Sequence, residues 1–216
     1  MRVAVDMDEV MTNMLPALQK HYKRTRRCSS KTRAVQQKKY IYKDIFNISE
    51  KEAQWLVYSF WNSPEAESMT PMNNSQDVLQ NLKLHGYSLT VVTGRQTYAK
   101  KCTETFIEKH YPGIFDDVIL TNSYALCGES VSKHKVCEDI CANYLIDDTE
   151  YHDLGSTIPL HYVGHPEECL KLYGTPIYPW CIDSRSALKM ADWNIVKDFL
   201  IDGLVPPLRP ENILVA

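Results

Sequence analysis

Two carboxylates two residues apart, Asp6 and Asp8, follow directly on the apolar run Val3-Ala4-Val5. A buried strand that ends in paired acids puts negative charge where open α/β sheets hold ligands, at the carboxyl ends of parallel strands. A buried Asp needs a partner, and a metal ion is the obvious one; a surface turn carrying two Asp is the plainer alternative. Two further carboxylates, Asp147 and Asp148, follow Tyr144-Leu145-Ile146, and Thr93-Gly94-Arg95 follows Leu89-Thr90-Val91-Val92. In a parallel sheet these ends converge on one edge. Four carboxylates in one crevice repel each other unless a cation neutralises them. An all-oxygen donor set with few ligands favours Mg²⁺, and no Cys or His stands at these positions to suit a softer metal. Such a site, with a hydroxyl and a basic group nearby, suits phosphoryl chemistry. One carboxylate can attack phosphorus, and a second can protonate the leaving alkoxide and then activate water. The metal and a lysine would offset charge on the equatorial oxygens. That lysine belongs just before the strand at 144–146, where Ser132-Lys133-His134-Lys135 stands.

The elements that must position these groups are legible as alternating patterns. Apolar runs at 3–5, 89–92, 118–120, 144–146 and 160–163 each end in a polar cluster, and they read as strands. Helical patterns lie between most of them, at Gln76 to His85, Tyr98 to His110 and Lys133 to Ala142, and Trp193 to Leu200 reads as a closing helix. Alternating strand and helix with nearly continuous apolar strands predicts an α/β fold with a doubly wound parallel sheet. The first connection is far longer than one crossover helix needs. Ser49-Glu50-Lys51-Glu52 has the form of a capping box, and Asn62-Ser63-Pro64 ends the apolar stretch Trp55 to Trp61. Residues 12–72 are therefore expected to be a helical insert over the first strand end, with residues 1–11 and 73–216 forming the core.

The 216 residues are 44% hydrophobic and 24% charged, ordinary for a globular protein, and no apolar run reaches the length of a membrane span. The first residues reach an acid too soon to read as a signal peptide, and seven scattered Cys suggest free thiols in a reducing compartment, so a cytoplasmic location is expected. Cys137 and Cys141 read as buried small apolar residues on one helix, since no second pair exists to complete a zinc site. Residues 20–43 hold ten Lys or Arg and no Asp or Glu, within a chain of net charge −3. Such a block can attract nucleic acid, a ribosome or another acidic partner, or can be a solvated loop. Tyr40, Tyr42, Phe46, Trp55, Phe60 and Trp61 in the insert can stack on a base or form a small helical core.

Taken together, Asp6-Met7-Asp8, Thr93, Lys133 and Asp147-Asp148 resemble, in order, the four motifs of the haloacid dehalogenase superfamily of aspartate-nucleophile phosphatases. Thr70-Pro71-Met72, His85-Gly86-Tyr87, Val91 to Arg95 and the Trp193-Asn194-Ile195-Val196 tail are similar to its 5'-nucleotidase branch, which includes 5'(3')-deoxyribonucleotidases. The resemblance implies a Mg²⁺-dependent phosphomonoester hydrolase that acts on nucleoside 5'-monophosphates. Asp6 would be nucleophile and Asp8 general acid/base; Thr93, Gly94, Arg95 and Lys133 would bind phosphate, with Lys135 the competitor of Lys133 and a surface ion pair the equal alternative for Arg95. Asp6, Asp8, Asp147 and Asp148 would serve the metal, Asp8 through the Met7–Asp8 backbone. Two departures stand out: Glu9 where the family usually has Gly, and Asn73-Asn74 where the branch tends to have Pro-Gly. A catalytically silent binding protein, and a phosphatase of sugar phosphates, phosphoproteins or nucleic-acid ends, are the rival readings. The sequence does not set the oligomeric state.

Overall fold

The computed structural model describes residues 1–26, 42–148, 160–163, 188–190 and 193–203. Their frame is a six-stranded, all-parallel sheet in the order β3-β2-β1-β4-β5-β6. The strands are β1 (Arg2–Val5), β2 (Ser88–Thr93), β3 (Asp117–Leu120), β4 (Tyr144–Asp147), β5 (Leu160–Val163) and β6 (Leu188–Met190). Val3, Ala4 and Val5 are all fully buried, as a central strand covered on both faces requires. Their alternation divides the core. Val3 and Val5 pack with Val78, Leu79, Leu82, Trp193 and Val196, whereas Ala4 packs with Val92, Leu145, Val136 and Cys137. The first group comes from α5 (Ser75–Leu84) and α8 (Trp193–Leu200), the second from α7 (Lys133–Asp139), so helices cover both faces.

This is the doubly wound α/β sheet expected from the sequence. β6 was not foreseen: it is three residues long and carries a Lys, so it lacks the apolar run that marks the other strands. The pattern at Tyr98 to His110 resolves into a 3₁₀ turn (Thr97–Ala99) and α6 (Lys100–His110). The helix expected to reach Ala142 stops at Asp139, because Cys141 has left-handed backbone (φ 52°). Cys137 is buried as expected, but Cys141 is exposed beyond the helix end, which corrects its reading as a core residue.

Between β1 and β2 lie α1 (Met14–Arg26), α2 (Tyr42–Phe46), α3 (Glu50–Phe60) and α4 (Pro64–Glu67). The Ser49 hydroxyl caps α3, and the Glu52 carboxylate reaches back to the Ser49 N–H at 2.9 Å, the reciprocal box read from the sequence. Ser63 with Pro64 both closes α3 and starts α4. The two ends of this excursion are stitched together. Thr12 Oγ1 donates to the Thr70 carbonyl (3.0 Å), and the Met72 N–H donates to the Met11 carbonyl (2.8 Å). The chain thus leaves and rejoins the sheet at one place, beside the end of β1. Residues 27–41, most of the basic segment, lie outside the described residues, as does Tyr40. Arg24, Arg26 and Lys43 pair with Glu65, Glu52 and Glu50. No described helix is long and apolar enough to cross a membrane.

Candidate active site

Sheet order decides which strand ends meet. β1 lies between β2 and β4, so the residues that follow Val5, Val92 and Ile146 become neighbours. Asp6 continues the ladder, its N–H donating to the Ile146 carbonyl at 2.8 Å, and this sets its side chain beside Asp147. Carboxylate oxygens of Asp6, Asp147 and Asp148 all lie within 4.8 Å of one another, and all three residues are buried. Lys133 enters from α7, where the Ser132 hydroxyl accepts the Lys135 N–H (3.1 Å) and fixes the helix start. Its ammonium stands 2.7 Å from Asp6 Oδ1 and 2.7 Å from Asp147 Oδ2. Lys135, two residues on, points outward to Asp139. Thr93 is fully buried at the end of β2. A Cβ on Gly94 would meet Ser123 at 3.6 Å and Lys133 Cε at 3.9 Å, so the backbone passes close alongside the lysine.

The electrostatics fit a hard cation. Burial, with the charges of Asp147 and Asp8, outweighs the attraction of Lys133 and pushes the Asp6 carboxyl up to about 7. Burial and the charges of Asp6, Glu9 and Asp8 hold Asp148 well above the usual carboxylate range. Asp6 Oδ1 has no aligned hydrogen-bond donor among the described residues, even with the Lys133 ammonium close by. An under-satisfied buried oxygen in a compact all-oxygen donor set matches Mg²⁺ chemistry.

Asp8 lies apart from this group. Its carboxylate is gripped by Arg95, with Nε 3.2 and 3.0 Å from Oδ1 and Oδ2 and one terminal nitrogen 2.6 Å from Oδ1. The Arg95 side chain is 0% exposed and that of Asp8 19%. Asp8 and Arg95 are thus partners of each other. The Asp8 side chain turns to Arg95 and is not among the three clustered acids, in keeping with the expectation that Asp8 would serve a metal only through its backbone. Arg95 donates from Nε and one terminal nitrogen to Asp8 and from the other terminal nitrogen to Thr103 Oγ1 (3.1 Å). The pair is not on the surface. Sequence reasoning passed over Gln96 and Thr103 and gave Trp61 no specific place. The Trp61 ring lies against the Arg95 guanidinium, 4.3 Å from its centroid, and donates its indole N–H to Gln96 Oε1 at 2.9 Å. The proximity of Trp61 and Gln96 to a strand-end arginine is a matter of register across the fold, for which no local pattern exists.

The remaining insert residues divide. Phe46, Phe60 and Trp61 are buried, whereas Trp55 is 51% exposed. The Tyr42 hydroxyl donates to Met14 Sδ (3.4 Å), and burial with the nearby charges of Asp8, Glu9 and Asp6 raises it above the ordinary phenol range. Glu9 has left-handed backbone (φ 62°), the conformation for which glycine is favoured. Its Oε1 accepts the Leu15 N–H at 2.6 Å in the first turn of α1. Burial first, then the charge of Asp8, push its carboxyl up to about 8 against those backbone hydrogen bonds.

The family described as 5' nucleotidase, deoxy (pyrimidine), cytosolic type C protein matches residues 1–148. No curated protein matches in sequence. Similar solved structures share the fold at low identity. A predicted phosphoglycolate phosphatase from Haemophilus somnus superposes with a TM-score of 0.59 at 16% identity, over 94% of this chain and 97% of its own. A haloacid dehalogenase-like hydrolase from Streptococcus pneumoniae gives 0.56 at 14%, over 79% and 90%. A predicted phosphatase from Clostridium acetobutylicum gives 0.54 at 17%, over 81% and 91%.

Proposed function

The chain belongs to the 5' nucleotidase, deoxy (pyrimidine), cytosolic type C family, a haloacid dehalogenase-type phosphatase, and from that premise we propose that it hydrolyses nucleoside 5'-monophosphates through an aspartyl-phosphate in the presence of Mg²⁺. The observation that carries this reading is the placing of buried Asp6 between the Lys133 ammonium and the Asp147–Asp148 pair.

In this mechanism an Asp6 oxygen attacks phosphorus, and the nucleoside leaves as its 5'-oxygen takes the proton of Asp8. Water then gives its proton to Asp8 and attacks the same phosphorus, which releases orthophosphate and restores Asp6. Lys133 and the Thr93 hydroxyl hold the equatorial oxygens. Asp6, Asp147 and Asp148 would hold Mg²⁺, which supplies charge stabilisation for the transferring group. The helical excursion at 12–72 acts as a cap that excludes water and selects the leaving group. Its roots at Thr12 and Thr70, joined beside the acids, support that role, as does the Tyr42 phenol that feels their charge. The basic segment at 20–43 would offer nucleic acid or a ribosome a contact, and the pairing of Arg24, Arg26 and Lys43 within the cap argues that these three serve the cap instead.

The test is a turnover screen over ribo- and deoxyribonucleoside 5'-monophosphates, sugar phosphates and phosphorylated nucleic-acid ends, with Mg²⁺ or EDTA. Nucleoside monophosphates should be the best substrates, and EDTA should remove turnover. Asp6→Asn should lower kcat by at least about 10³-fold with an unchanged circular dichroism spectrum. Wild-type activity in Asp6→Asn would sink the aspartyl-phosphate mechanism, and preference for another ester would sink the nucleotide assignment.

A further inference from the structure

We propose that Arg95 and Trp61 are positioning residues for Asp8, and that through Trp61 the placement of the helical insert sets whether Asp8 is aimed for proton transfer. The inference rests on the reading of Asp8 as the proton donor and acceptor. It adds to that reading a coupling between insert and proton transfer.

Every contact of Arg95 constrains it. One terminal nitrogen donates to Thr103 Oγ1 (3.1 Å), and the Thr103 hydroxyl in turn donates to the Ala99 carbonyl (2.9 Å), which ties the guanidinium to the start of α6. One face rests on Trp61, and the side chain has no solvent exposure. The remaining edge grips both oxygens of Asp8, and a planar fork held this way fixes the carboxylate plane as a flexible ammonium would not. Asp8 Oδ1 accepts two of these hydrogen bonds and Oδ2 one. Oδ2 therefore keeps the lone pair that faces no guanidinium, and it is the oxygen assigned to the leaving group.

Trp61 links this fork to the insert. It caps the end of α3, yet its polar edge is bound to the core. The indole N–H donates to Gln96 Oε1 (2.9 Å), and the Gln96 amide donates to the Ser123 carbonyl (2.7 Å). The ring is thus tied through Gln96 to the loops after β2 and β3 while its face supports the arginine. A displacement of α3 would remove the plane on which the guanidinium rests. Stability alone is a poor reason for the arrangement, since a desolvated ion pair contributes little net stabilisation.

The test compares Trp61→Leu and Trp61→Phe with the wild-type protein on two substrates. A nucleoside 5'-monophosphate leaves as an alkoxide and needs the proton of Asp8; 4-nitrophenyl phosphate leaves as a stable phenolate and does not. Because kcat/KM reports only steps up to departure of the leaving group, it isolates the acid step. Misaimed by about 1 Å, an acid of this kind loses on the order of 10²-fold. Trp61→Leu should lower kcat/KM for the nucleotide by about 10- to 100-fold and for 4-nitrophenyl phosphate by less than about 3-fold, with inhibition by orthophosphate unchanged. Trp61→Phe, which keeps a ring face for Arg95, should recover part of the loss, and it carries the test by itself if the Leu variant does not fold. Equal losses on both substrates, or no loss on either, would overturn the coupling alone. Absence of any turnover by the wild-type protein would overturn the phosphatase reading and the coupling with it.

Discussion

Replacement of Glu9 separates the backbone of the site from the side chain that departs from the family pattern. At φ 62° a residue with a Cβ is strained by about 1–2 kcal/mol relative to glycine. Against that, the Glu9 carboxylate accepts the Leu15 N–H at 2.6 Å, a capping interaction of about 1 kcal/mol. Glu9→Ala keeps the strain and loses both the cap and the cost of a buried carboxyl whose folded-state value is raised; Glu9→Gly loses the same carboxyl contributions, so the comparison of the two variants isolates the strain. Relative to Glu9→Ala, Glu9→Gly relieves about 1–2 kcal/mol of strain and adds about 0.4–1 kcal/mol of unfolded-chain entropy, so the Gly variant should be the more stable of the two by about 1 kcal/mol. Urea unfolding followed by tryptophan fluorescence at constant Mg²⁺ gives the ranking, provided the m-values agree. A Gly variant as unstable as the Ala variant would refute the account of strain at this turn. The carboxyl is held on the first turn of α1, so Glu9→Gly should also leave kcat within about 3-fold of the wild-type value. A larger change would show that its charge acts on the phosphate after all.

The two candidate lysines should separate cleanly. Lys133→Met removes the ammonium between Asp6 and Asp147 and should lower turnover by about 10²–10³-fold, whereas Lys135→Met breaks only an exposed contact with Asp139 and should stay within about 2-fold, as steady-state kinetics of the two variants would show. Away from the site, the Arg24 fork holds the buried Glu65 carboxyl at about 2, below its ordinary value of 4.5. A depressed folded-state value stabilises above the unfolded value and is lost as pH falls between 4.5 and 2. Glu65→Gln should therefore lower the Tm at neutral pH and converge on the wild-type Tm as pH approaches 2, and a constant difference across that window would contradict the pairing.

The strands and the acids at their ends were legible because a parallel strand covered on both faces reads as an unbroken apolar run, and the run stops where the sheet edge begins. Val3 to Val5 followed by Asp6 is such a case, and so is Tyr144 to Ile146 followed by Asp147. The α3 capping box was legible for the same reason: its signal lies within four residues. The Asp8–Arg95 pair was not, because it joins residues 87 apart, and from sequence Arg95 equally suits a phosphate or a surface ion pair. Trp61 is one aromatic among several in a helical stretch until the fold lays it on that arginine.

The two departures from the family pattern share one physical explanation. Glu9 and Asn74 both have left-handed backbone, with φ of 62° and 63°, so the turn geometry is kept where glycine is the usual occupant. Each side chain makes a contact that glycine cannot. Glu9 caps α1 where the excursion leaves the sheet, and Asn74 donates to Asn194 Oδ1 of α8 (3.3 Å) just after it returns. Asn accepts this backbone at lower cost than Glu, which leaves Glu9 as the more strained of the two. Both side chains therefore add a contact at the roots of the helical insert. An insert held at both roots keeps Trp61 on Arg95 with less freedom to drift. Under the proposed mechanism its effect would then fall on the aim of Asp8 more than on the phosphate-holding roles assigned to Lys133 and Thr93.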